Sequence, residues 1–221
     1  MASMAHRVAR GLVGGCALLL GVTVTGCGAP QYTYIANSNA STYFKVPYGW
    51  HQISASNLAS EYKAVTGAST SAWMVAYEPG ADPAAGDFLS FSTSRPFVFA
   101  EIGQLTATGS QELSYDSLRD LFGLPVSSAA RQSVPSTFPL TNFQQLRDQV
   151  LTPGHQGVHG VRETFDYTDP GVATDTFDEI ALTNADQTEV YLLVIHCTTA
   201  CYSNDQAEIN DVMTSFTIGS P

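Results

Sequence analysis

The chain is 221 residues long, with 9 lysines and arginines against 20 aspartates and glutamates, a formal charge of −11. At roughly 100–200 residues per domain this length reads as one large domain, and 44% hydrophobic residues suffice for a core. So few cations exclude nucleic acid as a partner, because phosphate binding requires clustered Lys and Arg.

His6, Arg7 and Arg10 form a short positive region, and Gly11 to Gly26 then runs without a charge. That run is short of the ~20 residues needed to cross a bilayer and fits the apolar part of a secretory signal. It ends in Val24-Thr25-Gly26-Cys27, which resembles the bacterial lipobox. The resemblance implies a signal peptide over residues 1–26, removed before Cys27. It further implies a diacylglyceryl group on the Cys27 sulfur, an acylated amine (chains such as palmitate), and a place on the outer face of the plasma membrane. Two or more acyl chains anchor stably, at about 0.8 kcal/mol per buried CH₂. Removal of Arg7 and Arg10 leaves 7 basic and 20 acidic residues, a formal charge of −13.

Residues 27–42 comprise the lipidated cysteine and an uncharged, small and polar tether. Fully extended, residues 28–42 reach about 50 Å; an edge strand at Tyr32-Thr-Tyr-Ile35 would shorten this. A single domain is expected over 43–221. Phe44 and Val46 alternate with polar neighbours and predict a strand; Pro47 and Gly49 suit a type I turn, and Trp50 and Ile53 lead into a second short strand. Ser54 or Ser56 caps a helix through about Val65, with Leu58, Tyr62 and Val65 at helical spacing and Gly67 past its end.

Trp73–Tyr77 reads as a buried strand, Glu78–Gly86 as a loop, and Phe97–Thr106 as a strand. Ser114 caps a short helix bearing Tyr115, Leu118, Leu121 and Phe122. Residues 124–141, with three prolines, read as irregular. Residues 143–151 fit either a helix or a strand. Val158–Tyr167 is a strand, Asp169–Asp175 a polar turn, and Asn184–Gln187 a hairpin turn. Val190–Ile195 is the strongest strand in the chain. Ser203-Asn-Asp-Gln206 predicts a capping box for a helix carrying Ile209, Val212, Met213 and Phe216. Strands and separate helices in this order predict an α+β domain.

Phe44-x-Val-Pro-x-Gly-Trp50 resembles the opening of the PsbP-like superfamily, which includes a lumenal extrinsic protein of photosystem II and a yeast Ran-binding import factor. The strand Tyr191–Ile195, a capped helix and Ser215-Phe216 resemble its close. Gly157-x-x-Gly160-Val-Arg162 is similar to the middle strand of actinobacterial lipoproteins of this kind. The resemblance implies an α/β/α sandwich around a largely antiparallel sheet and a tendency to binding and assembly roles. It carries over no catalytic residue.

Cys197 and Cys201 are an even pair in an oxidising compartment and are expected to form a disulfide. His155-x-x-x-His159, with His196 as a candidate third ligand, raises a metal site. The flanking Pro153, Gly154 and Gly157 oppose a helix, and in a strand the two rings stand ~13 Å apart, so no metal is expected. Asp166, Asp169, Asp175, Asp178 and Glu179 lack the EF-hand order and read as a solvated acidic turn. Gly-x-Ser-x-Gly and the phosphate-loop patterns are missing, so no catalytic or cofactor-binding residue is expected. The favoured expectation is a non-catalytic, membrane-anchored envelope lipoprotein that binds a protein or small ligand. The alternative is an envelope hydrolase or small-ligand carrier, its pocket between sheet and helices and its polar groups drawn from His51, His155, His159 and Asp166. Convergence of those four side chains discriminates the two.

Overall fold

The computed structural model describes residues 31–67, 72–153 and 157–219. Seven antiparallel strands form the central sheet: β3 (Trp50–Gln52), β4 (Trp73–Pro79), β5 (Phe97–Gln104), β6 (Thr141–Leu151), β7 (His159–Asp169), β8 (Ala173–Thr183) and β9 (Glu189–Thr198). Their spatial order is β3-β4-β5-β9-β8-β7-β6. Strands β1 (Tyr32–Asn37), β2 (Thr42–Pro47) and β10 (Thr217–Ile218) form a second antiparallel sheet in the order β1-β2-β10. The architecture is the expected α+β one, a largely antiparallel sheet covered on both faces, with the small sheet sharing one face with helices.

Side-chain alternation along each strand divides the core in two. On β9, Tyr191, Leu193 and Ile195 pack to one side, and Val190, Leu192 and Val194 to the other. The first side receives Phe44 and Val46 of β2 and Ile209, Val212 and Met213 of helix α6 (Gln206–Thr214). Each of these last three is fully buried, a stabilisation on the order of 1.5–3 kcal/mol apiece. The opposite side receives Leu58 of α1 (Ala55–Thr66), Leu118 of α3 (Tyr115–Arg119), which follows the short helix α2 (Ala107–Glu112), and Phe88 of a 3₁₀ turn (Ala85–Leu89).

Helix α1 has the expected ends. The Ser54 side chain accepts the Asn57 backbone N–H, and Gly67 closes the helix at φ 70° with its N–H on the Lys63 carbonyl. Glycine reaches that conformation without strain. Val65, however, is 42% exposed, so only Leu58 and Tyr62 of the expected triplet meet the core.

Four local expectations resolve or change. Tyr32–Asn37 forms β1 and pairs with β2 over six residues, with Ile35 buried; the edge strand considered at Tyr32–Ile35 forms, and residues 28–30 of the expected tether lie outside the described residues. Residues 143–151 are strand, within β6 at the sheet edge. The stretch 124–141 contains a short helix, α4 (Ser128–Ser133), capped by Ser127. The capping box at Ser203 does not form, because a separate helix, α5 (Thr199–Asn204), already occupies that residue. Thr198 caps α5 by accepting the Cys201 N–H, while Asp205 precedes α6 without a side-chain cap.

The stretches that open and close the domain meet in space. The Lys45 backbone N–H donates to Ser215 Oγ at 3.0 Å, Phe44 and Phe216 pack edge to face, and buried Trp50 donates its indole N–H to Glu208. The Pro47–Gly49 turn thus delivers Trp50 to the core. Among the described residues no helix is long and apolar enough to cross a membrane.

Candidate functional site

The four side chains of the hydrolase alternative do not assemble where they are described. His51 lies exposed on β3, the first strand of the sheet, whereas His159 and Asp166 lie on β7, the sixth. Five strand spacings separate them, ~24 Å. On β7 itself, seven residues separate His159 from Asp166, ~23 Å. The His159 ring contacts the Gly157 carbonyl, and Asp166 accepts the Thr176 hydroxyl. His155 and Cys27 lie outside the described residues. His196 is a core residue on β9, stacked on Phe177 with ring centroids 5.0 Å apart and held by Asp175 at 3.3 Å. No group of three or more His, Cys, Asp or Glu among the described residues is placed to hold a metal. Cys197 and Cys201 are joined in a disulfide that ties the end of β9 to α5, their Cα atoms 5.9 Å apart.

The expected solvated acidic turn is a correction. Asp175, Asp178 and Glu179 are fully buried on β8. Each has a reason to be there. Asp178 receives Arg162 bidentately (2.9 and 2.8 Å) and the Tyr202 hydroxyl (2.9 Å), which offsets its desolvation. Asp175 is paired with His196. Burial pushes the Glu179 carboxyl well above its ordinary range, reinforced by Glu163 and Asp120, while the nearby Phe122 backbone amide offsets this only in part. This burial favours the neutral form of the Glu179 carboxyl. The signal available in the sequence was the apolar content of 177–182: Phe177 packs on one face of β8 and Ile180 and Leu182 on the other, so Asp178 and Glu179 lie within the strand, not beside it.

The concave region of the domain lies where the Asn37–Ser41 turn of the small sheet overhangs one end of the central sheet. Two adjoining cavities, about 330 and 410 Å³, share Asn39, Ala40 and Glu189. Such volumes suit a small ligand or a partner's side chains. Glu189 is fixed between them. Its Oε2 accepts the Tyr191 hydroxyl at 2.6 Å and its Oε1 accepts the Gln104 amide. Its backbone N–H donates to Asn184 Oδ1, which also accepts from Thr188 and so closes the expected 184–187 turn. Burial and then Glu189 push the Tyr191 hydroxyl up, so it remains a donor at neutral pH. Trp73 and Ile102 supply an apolar wall to the larger cavity and Asn37 an amide; Asp186 adds a second carboxylate to the smaller. Among the described residues, no Lys or Arg lines either cavity. The cleft therefore suits a neutral or cationic polar group with an apolar face and disfavours an anion. Sequence reading missed it because its residues come from six separate segments.

No protein-family model matches the chain, and no curated protein matches it. Among solved structures, the chain is similar to cyanobacterial PsbP from Synechocystis sp. PCC 6803 (14% identity, 94% of this chain and 99% of that one, TM-score 0.45). It is similar to the Saccharomyces cerevisiae Ran-binding protein Mog1p (7% identity, 86% and 96%, TM-score 0.45). It is also similar to LpqN of Mycobacterium tuberculosis, a protein involved in cell envelope biogenesis (14% identity, 86% and 91%, TM-score 0.48).

Proposed function

We propose that this protein is an exported lipoprotein, anchored through acylated Cys27 at the outer face of the plasma membrane, that binds an envelope protein or small ligand and catalyses no reaction. One observation carries the reading: the Val24-Thr25-Gly26-Cys27 motif ends an uncharged run and stands five residues before the first strand of the domain. Five residue steps span at most about 18 Å. The domain is thus held close to the headgroups, rather than at the end of a ~50 Å tether. The Asn39–Glu189 cleft is the binding site in this reading.

A photo-reactive residue at position 39, on the rim of the cleft, tests the binding role in living cells. A discrete crosslinked species from the full chain, lost on Glu189→Arg, supports it. A species unaffected by Glu189→Arg, or none, opposes it. The anchor is tested separately by metabolic labelling with a palmitate analogue: incorporation into the wild type and none into Cys27→Ala is expected, and label retained in Cys27→Ala contradicts it.

A further inference from the structure

On the side of the sheet away from Glu179, β6 and β7 face α5 and α6 across a third, separate cavity of about 290 Å³. It is lined by Arg147, Arg162, Tyr202, Gln206, Ala207 and Asn210. We propose that this cavity binds a compact oxyanion, a phosphate or carboxylate group, independently of the Asn39–Glu189 cleft.

The charge balance is the first argument. Two guanidiniums stand over one carboxylate. Arg162, with a side chain only 10% exposed, holds Asp178 bidentately. Asp178 also accepts the Tyr202 hydroxyl. Arg147 comes no nearer than 3.9 Å to the same carboxylate and makes no hydrogen bond among the described residues. One positive charge is therefore left over, in a protein whose formal charge is −11. Distant acidic groups act on the site only through ~8 Å of screening at physiological salt, so the local surplus governs what enters.

The donors are the second argument. Arg147 presents an idle planar fork, the geometry that matches phosphate and carboxylate. The Asn210 side-chain Oδ1 accepts from Arg162 at 3.4 Å, which leaves the side-chain N–H₂ to donate, and Gln206 lines the same space. Asp178, the one carboxylate at the site, lies fully buried beneath its partners, so the accessible wall is made of donors.

The test is calorimetric titration of the full chain, in non-ionic detergent at constant ionic strength, with inorganic phosphate. Saturable one-to-one binding is expected, weakened at least about tenfold by Arg147→Gln and also weakened by Asn210→Asp, which places a carboxylate beside Arg162. Arg147 is half-exposed at the sheet edge, so Arg147→Gln should leave the melting temperature unchanged. A parallel arm compares vesicles of phosphatidylcholine with vesicles containing phosphatidic acid. Phosphate binding without a gain on phosphatidic acid assigns the site to a soluble oxyanion. An Arg147-dependent gain on phosphatidic acid assigns it to a lipid headgroup. No saturable phosphate binding together with equal vesicle binding by wild type and Arg147→Gln overturns the proposal, as does phosphate binding that both variants retain.

Discussion

Glu163 of β7 and Glu179 of β8 stand directly opposite one another in the antiparallel ladder, and Asp148 of β6 occupies the next position in the same row. Among the described residues, one guanidinium serves this row. Arg119 of α3 donates to Glu163 at 3.0 Å and to Asp148 at 2.9 Å. Like charges directly opposite on a sheet are destabilising, and burial shifts the two inner members of the row toward their neutral form. Burial, with Asp148 beside it, pushes Glu163 up to about 7; Glu179 lies well above its ordinary value. Asp148, at the outer end, is lowered by Arg119.

This row makes stability fall as pH rises. Below about pH 4.3 the glutamates are protonated in both folded and unfolded chains. Between that value and about 7 the unfolded chain has released protons that the folded chain retains on Glu163, on Glu179 and on Glu101, which burial also raises to about 7. The unfolded state then binds fewer protons, so unfolding becomes easier with pH. The lowered Asp148 acts in the opposite sense, but only below its ordinary value near 3.8. The melting temperature at pH 8 is expected to lie below that at pH 5 by on the order of 5 °C. Glu179→Gln, which removes the buried titration, is expected to flatten the dependence. A melting temperature that climbs from pH 5 to pH 8 refutes the account.

Gly160 fixes how closely β7 approaches β8. A Cβ there would fall 2.0 Å from the Ala181 carbonyl oxygen and 2.7 Å from Leu182 Cα. Gly160→Ala must therefore push two core strands apart, at an expected cost of about 2–3 kcal/mol in urea unfolding. Gly49→Ala is the control, since nothing lies within 4 Å of its added carbon. Equal stability of the two variants speaks against the packing argument.

The Cys197–Cys201 disulfide closes a very short loop, for which the chain-entropy relation gives about 2 kcal/mol. Reduction, or the double change Cys197→Ala and Cys201→Ala, is expected to lower the melting temperature by roughly 4–8 °C. The mass of the non-reduced peptide spanning 197–201 in exported protein should show the bridge; a peptide with two free thiols contradicts it.

Strands β4, β5, β7 and β9 of the central sheet were legible in the sequence because their signals are local. Val190–Ile195 is apolar and β-branched, and both its faces are buried. The Phe44–Trp50 and Ser215-Phe216 stretches were also legible, and their contact across the small sheet explains why they are informative together. What the sequence left open depends on tertiary partners. Residues 143–151 carry both periodicities, and pairing with β7 makes them a strand. Asp175, Asp178 and Glu179 look like a solvated turn until His196, Arg162 and the Glu163 row are brought beside them. Both candidate cavities are assembled from segments far apart in the chain, so no spacing marks them.

The claim on which the account turns is the lipid at Cys27. Mass spectrometry of the amino-terminal peptide of protein extracted from its native membrane tests it most directly. The account predicts a chain beginning at Cys27, with a diacylglyceryl group on sulfur and an acyl group on the amine. A chain that keeps residues 1–26, or one whose Cys27 is an unmodified thiol, contradicts it.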